Sequence, residues 1–168
     1  EAHIAPELPR GREWQYEPKW DGFRCIAFRD GDKVRLQSKA GKPLERYFPE
    51  LVAALRALSA RRFILDGEIV VEHAGHLAFD HLLMRIHPAA SRIERLAREE
   101  PADLKLFDIL VDETGTRRTA EPLADRRTRL ERFATKYLRR GGSIALSRAT
   151  KSLATATRWL AGAGIDTD

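Results

Sequence analysis

The chain has 168 residues, 43% of them hydrophobic and 33% charged, which suits one soluble globular domain with a sizeable core. Its formal net charge is +5 and its sequence pI is near 9.7, a balance that favours anionic partners such as nucleic acid or nucleotide. No apolar run approaches the roughly 18 residues of a membrane span and no signal peptide is visible, so the expected location is cytoplasmic with no membrane partner.

Residues 1–13 carry mixed charges and prolines without a clear period and read as an extended lead-in. Trp14 and Tyr16 alternate around Gln15, which predicts a short strand. Phe23 to Arg29 and Lys33 to Ser38 read as two strands of a hairpin about Asp30-Gly31-Asp32, since Asp-Gly between such runs is a strong turn signal. Ser38-Lys39-Ala40-Gly41-Lys42-Pro43 is a polar loop. Tyr47-Phe48-Pro49 opens a helix whose Phe48, Leu51, Leu55 and Leu58 recur at helical spacing.

Phe63 to Glu72 is a strand run interrupted by Asp66-Gly67, followed by a turn at His73-Ala74-Gly75 and a short return from His76 to Phe79. Phe79, Leu82, Leu83 and Ile86 predict a short helix, and Ile93, Leu96 and Ala97 another. Leu104 to Val111 reads as a buried strand despite Lys105 and Asp108. Leu123, Leu130, Phe133, Ala134 and Tyr137 mark an amphipathic helix on which Asp125 can pair with Arg129. Ile144 to Ser147 is a short strand. Leu153, Ala156, Trp159 and Leu160 mark a last helix, ended by Gly162 and Gly164. Hairpins with helices between them predict an α+β fold, mostly antiparallel. The single cysteine, Cys25, cannot form an internal disulfide and reads as a small buried hydrophobe. With one cysteine and scattered histidines, no zinc spacing is visible.

The chemistry gathers at Glu17-Pro18-Lys19-Trp20-Asp21-Gly22-Phe23-Arg24. Asp21-Gly22 has turn chemistry, because glycine tolerates positive φ. A lysine attacks only as the neutral amine, a state that burial and neighbouring cations favour. From these residues alone, a surface lysine beside an ordinary turn is the favoured reading. Two further stretches stand out: Leu65-Asp66-Gly67-Glu68-Ile69-Val70, where a carboxylate inside a strand run needs a polar partner, and Leu106-Phe107-Asp108-Ile109-Leu110, where Phe107 by itself reads as core.

Lys19-x-Asp21-Gly22-x-Arg24 resembles the lysine motif of the covalent nucleotidyltransferases, and the other two stretches resemble their second and third signatures. The overall resemblance is to ATP-dependent DNA ligases, the small bacterial C type above all; Arg46-Tyr47-Phe48-Pro49-Glu50-Leu51 and Arg85-Ile86-His87-Pro88-Ala89-Ala90-Ser91-Arg92 share that flavour. The resemblance implies an ATP-grasp-like nucleotidyltransferase fold, with two mainly antiparallel sheets flanked by helices and residues 1–168 forming one adenylation domain. It implies that Lys19 takes AMP from ATP, with Mg2+ or Mn2+, and that the acceptor is nicked double-stranded DNA. End-joining repair proteins and a nucleoid location follow from the same likeness.

By the same resemblance Glu68 takes the ribose, Phe107 stacks on the purine, Arg24 contacts the sugar and Glu17 lies near the adenine. Lys39 and Lys42 stand where phosphate or DNA is met, although Lys39 replaces a common arginine and loses its bidentate geometry. Asp166 falls where a metal-linked carboxylate is expected, but Thr167 stands where the pattern has glycine. The later phosphate-binding lysines and the C-terminal OB domain are not in the sequence, which predicts a truncated adenylation domain, a fragment or a degenerate copy. A nucleotide- or DNA-binding module without catalysis, and an RNA ligase or capping-type enzyme, are the alternatives.

Overall fold

The computed structural model describes residue 5 and residues 7–161. They fall into two compact units. One comprises residues 20–146, and the other comprises the described parts of 1–19 and 147–168.

In the larger unit, alternating apolar residues build the sheet. β1 (Phe23–Asp30) buries Cys25 and Ala27, and β2 (Lys33–Ser38) buries Val34 and Leu36. The two form the expected hairpin, with Gly31 at φ 61° in its two-residue loop. β3 (Arg62–His73) pairs antiparallel with β1 on one side and with β5 (Ala102–Val111) on the other. β4 (His76–Leu77) is a two-residue return on β3. β6 (Ile144–Leu146) lies parallel to β5. The described residues form one mixed six-stranded sheet, ordered β2-β1-β3-β5-β6 with β4 off β3. The fold is therefore α+β, with a single mixed sheet where two antiparallel ones were expected. The parallel pair has a physical reason: α4 (Leu123–Tyr137) intervenes between β5 and β6, and a helical crossover permits parallel pairing where a tight turn does not.

α1 (Pro49–Ala57), with Pro49 in its first turn, buries Leu51 and Leu55; α4 buries Leu130 and Phe133. These join Phe48, Phe63, Leu65, Ile69, Leu104, Leu106 and Ile109 in one core. Two buried arginines close it. Arg29 Nη1 donates to the carbonyls of Leu55 and Leu58, each at 2.6 Å, and so satisfies the end of α1. Arg85 Nη2 donates to the Tyr47 carbonyl at 2.9 Å and to Glu50 Oε1 at 2.7 Å, and its guanidinium lies 5.0 Å from the Phe48 ring centroid. Arg85 follows α2 (Phe79–Met84), and α3 (Ala90–Glu99) comes next. Arg129 bonds Glu121 at 2.7 Å in place of the expected Asp125, because the loop before α4 brings the longer acid back over the helix.

In the smaller unit, Tyr16 and Thr150 exchange two backbone hydrogen bonds of 2.8 and 2.9 Å, and the Tyr16 hydroxyl donates to the Pro9 carbonyl at 2.6 Å. The strand expected from Trp14 to Tyr16 reduces to that one bridge, since Trp14 is exposed and its alternation reflects no buried face. α5 (Leu153–Leu160) starts at Ser152, whose Oγ accepts from the Thr155 N–H. Gly162 and Gly164, expected to end it, lie outside the described residues.

Candidate nucleotide site

Strand register brings the second and third motifs together with the arginine of the first. Arg24 on β1 lies directly opposite Glu68 on β3, and Glu68 directly opposite Lys105 on β5. Directly paired residues share a sheet face. The β3–β5 register shifts between Asp66 and Gly67, so Asp66 faces Asp108 while Gly67 faces Leu106, and Phe107 is the extra residue between. Alternation with buried Leu104 and Leu106 turns Phe107 away from the core and leaves it half-buried, and the irregularity keeps Asp108 on that side too.

The Arg24 guanidinium lies 4.4 Å from the Phe107 ring centroid. It is held there by Asp66: Nε donates to Oδ1 and Nη2 to Oδ2, both at 2.6 Å. This bidentate pair raises the Arg24 pKa further above its already high range, the Asp66 hydrogen bond being the main cause. Asp108 is held in the same way by Arg126 of α4, at 2.9 Å from Nε and 2.9 Å from Nη2. Lys105 bonds Asp103 at 3.0 Å and reaches to 5.6 Å from the Trp20 ring.

Two glycines of the motifs answer to space. Gly22 does not carry positive φ, contrary to the turn reading; a Cβ there would collide with the Ile69 carbonyl oxygen. At Gly67 a Cβ would stand 2.6 Å from the Lys105 carbonyl oxygen. Both glycines let neighbouring backbone pass close beneath the site.

Beside this face opens a cleft of about 870 Å³, lined by Arg24, Glu68, Lys39, Lys42, Arg46 and Tyr47 among others. Four basic side chains meet one carboxylate there. The Ser38–Lys42 turn presents the two lysines: Gly41 takes φ 76°, its N–H bonds the Ser38 carbonyl, and the Lys42 N–H bonds Ser38 Oγ at 3.1 Å. The size and charge suit a nucleotide with its phosphates.

The structure thus gathers Arg24, Glu68, Lys39 and Lys42 around one cleft, with Phe107 under Arg24. Glu17 and Lys19 are exposed residues of the smaller unit. Asp166 lies outside the described residues. Sequence reasoning gave no role to Asp66, Arg46 or Arg126. Asp66 stood next to Gly67-Glu68, and its burial as an acid was the available signal.

Residues 3–163 match the ATP dependent DNA ligase domain family. The chain is 46% identical over 167 residues to DNA ligase C2 of Mycolicibacterium smegmatis, an alignment covering 95% of this chain and 44% of that protein. It is also 46% identical over 159 residues to DNA ligase C of Mycobacterium tuberculosis, covering 90% and 43%. Among solved structures, the ligase domain of M. tuberculosis LigD superposes with a TM-score of 0.65 at 23% identity, covering 87% of this chain and 45% of that one. A mycobacterial DNA ligase D complexed with ATP and MES does so at 0.61, with the same identity and coverage. The fold is an α+β unit like that of these solved ligase domains. The chain belongs to the ATP-dependent DNA ligase domain family, and it spans less than half the length of these curated relatives.

Proposed function

We propose that this chain is the adenylation domain of an ATP-dependent DNA ligase of the C type, spanning residues 1–168 of it. Lys19 Nζ, as the free amine, attacks the α-phosphorus of ATP. A P–N bond forms, the bond to the β-phosphate oxygen breaks, pyrophosphate leaves and the amine loses a proton. AMP stays on Lys19 as a phosphoramidate until the 5′-phosphate of a DNA nick takes it.

The observation that carries this reading is the register placing Arg24 opposite Glu68, with Phe107 beneath the guanidinium, beside a basic cleft of nucleotide size. Glu68 accepts from the ribose, Phe107 stacks on the adenine, and Glu17 lies towards its edge. Arg24 spends Nε and Nη2 on Asp66, so its contact to the sugar falls to Nη1. Lys39 and Lys42 meet phosphate or DNA. A divalent cation, Mg2+ or Mn2+, neutralises charge on the phosphates when bound, with Asp166 as its proposed carboxylate partner. The ATP-grasp-like character of the fold, nicked duplex as acceptor, end-joining partners and a nucleoid location are the finer parts of the same proposal.

The test is intact mass after incubation with ATP and Mg2+. A gain of one AMP is expected, acid-labile and absent from Lys19→Ala. Lys19→Arg fails equally, because a guanidinium stays protonated and cannot attack. Folded wild-type protein that binds ATP without an adduct would favour the binding-module reading. An adduct persisting in either variant would move the nucleophile elsewhere.

A further inference from the structure

Three side chains remote in sequence converge at one edge of the larger unit. His73 ends β3, His81 lies within α2, and Glu100 follows the last residue of α3. His81 Nδ1 stands 2.8 Å from Glu100 Oε2, and His73 Nδ1 stands 3.0 Å from Glu100 Oε1. The two imidazoles lie against each other, ring centroids 4.3 Å apart and planes tilted by 35°. One donor atom from each residue lies within 4.8 Å of the others. None of the three takes part in the nucleotide reading above.

We propose that His73, His81 and Glu100 form a binding site for a divalent transition metal of the zinc class. Two imidazole nitrogens and a carboxylate oxygen are a donor set that zinc uses with three protein ligands and a water. Metal–ligand bonds of about 2.0–2.1 Å at tetrahedral angles place neighbouring donors roughly 3.3 Å apart. Both nitrogen–carboxylate separations, 3.0 and 2.8 Å, are already near that value, although the two nitrogens contact opposite oxygens of Glu100. Imidazole donors favour zinc, cobalt or nickel over magnesium, which prefers oxygen. The site is therefore chemically separate from the cation of adenylyl transfer.

Glu100 is well placed to serve. Its backbone carbonyl accepts from buried Arg85 at 3.3 Å, which anchors the end of α3. The ligands come from three elements that only tertiary packing brings together, so a bound ion braces β3, α2 and α3 against one another. α2 also carries Phe79, whose ring packs edge-on against Phe23 at 5.7 Å, next in the chain to Arg24. His73 is half-exposed and His81 and Glu100 partly so, which gives the ion a path in and leaves a position for water.

The test titrates metal-free 168-residue chain with Co2+, read by visible absorption, and with Zn2+, read by calorimetry and thermal melting. One ion per chain, a tetrahedral-type cobalt band and a zinc-dependent rise in Tm are expected. His81→Ala and Glu100→Gln should each lower zinc affinity at least tenfold, since even outer-shell contacts to a metal ligand are worth about 10–100-fold. His87→Ala, elsewhere on the surface, should leave it unchanged. Glu100→Gln keeps a hydrogen-bonding side chain, so it reads metal ligation if His81→Ala fails to fold. Wild-type protein without the cobalt band, or affinity that survives in Glu100→Gln, or affinity lost in His87→Ala, overturns the proposal.

Discussion

Replacing Phe107 separates a stacking surface from a core residue. Its ring lies outside the core cluster, half-buried, with the Arg24 guanidinium 4.4 Å from its centroid. A fully buried phenylalanine costs about 3–5 kcal/mol when cut to alanine. Phe107→Ala should cost less, because it loses only partial burial and an exposed cation–π contact of about 0.5–1 kcal/mol. The larger effect should fall on nucleotide. Stacking on an aromatic is worth about 1–3 kcal/mol per base, so ATP affinity should drop roughly 5–150-fold. Phe107→Tyr keeps the ring and should bind nearly as well as wild type. Urea denaturation gives the stability and calorimetry the Kd. Folded Phe107→Ala that binds ATP within twofold of wild type would refute the stacking role. A stability loss in the full core range would show that the ring is structural.

Other substitutions probe the frame around the site. Arg85→Met breaks a buried pair with Glu50 and should cost about 3–5 kcal/mol, roughly 6–20 °C in Tm; a loss under 1 kcal/mol would show that hydrophobic packing replaces the pair. The Asp112 carboxylate is buried, which opposes ionisation, yet hydrogen bonds from Thr114, Arg118 and Thr116 outweigh this and hold its pKa below the usual range. Wild type should therefore be more stable than Asp112→Asn above about pH 4, the unfolded carboxylate range, with the advantage fading as pH falls through the lowered folded value; an advantage that grows on acidification would reverse that sign. Burial pushes the Cys25 thiol up to about 12, so native protein should resist thiol reagents at pH 8 and react only on unfolding; rapid stoichiometric labelling of folded protein would contradict the buried strand position.

Local signals were legible in the sequence and long-range ones were not. The β1–β2 hairpin announced itself because Asp30-Gly31 is both a turn and a register marker, and α1 and α4 because their apolar residues recur at helical spacing. Trp14 to Tyr16 shrank to the single Tyr16–Thr150 bridge because alternation alone does not say how far a partner strand runs alongside. Asp21-Gly22 looked like a turn because glycine serves two purposes, positive φ and close approach, and only the position of Ile69 decides between them. The parallel β5–β6 pair depends on where α4 crosses. The Arg24–Asp66 pair spans 42 positions, and His73, His81 and Glu100 share no compact spacing. A resemblance named Arg24 as a ligand contact, but nothing in the sequence said that two of its nitrogens serve a neighbouring strand.

That division of labour explains why the site depends on the sheet rather than on loops. Arg24, Glu68 and Lys105 meet because three strands are in one register, and a one-residue slip would turn each to the opposite face. Register here is over-determined. Gly22 and Gly67 admit backbone that any larger residue would exclude, and Cys25, Leu65 and Leu106 lock the other face into the core. The irregularity at Asp66–Gly67 then does what a regular ladder cannot, placing Phe107 and Asp108 in succession where each finds a partner: Arg24 lies over the ring, and Arg126 of α4 clamps the carboxylate. Asp66 fixes Arg24 through both carboxylate oxygens before any ligand arrives, so the guanidinium need not be ordered on binding. The same contacts that hold β1, β3 and β5 together set out the cleft's chemistry, and a substitution at Asp66 should therefore disturb nucleotide affinity through Arg24 and Phe107 without itself touching the nucleotide.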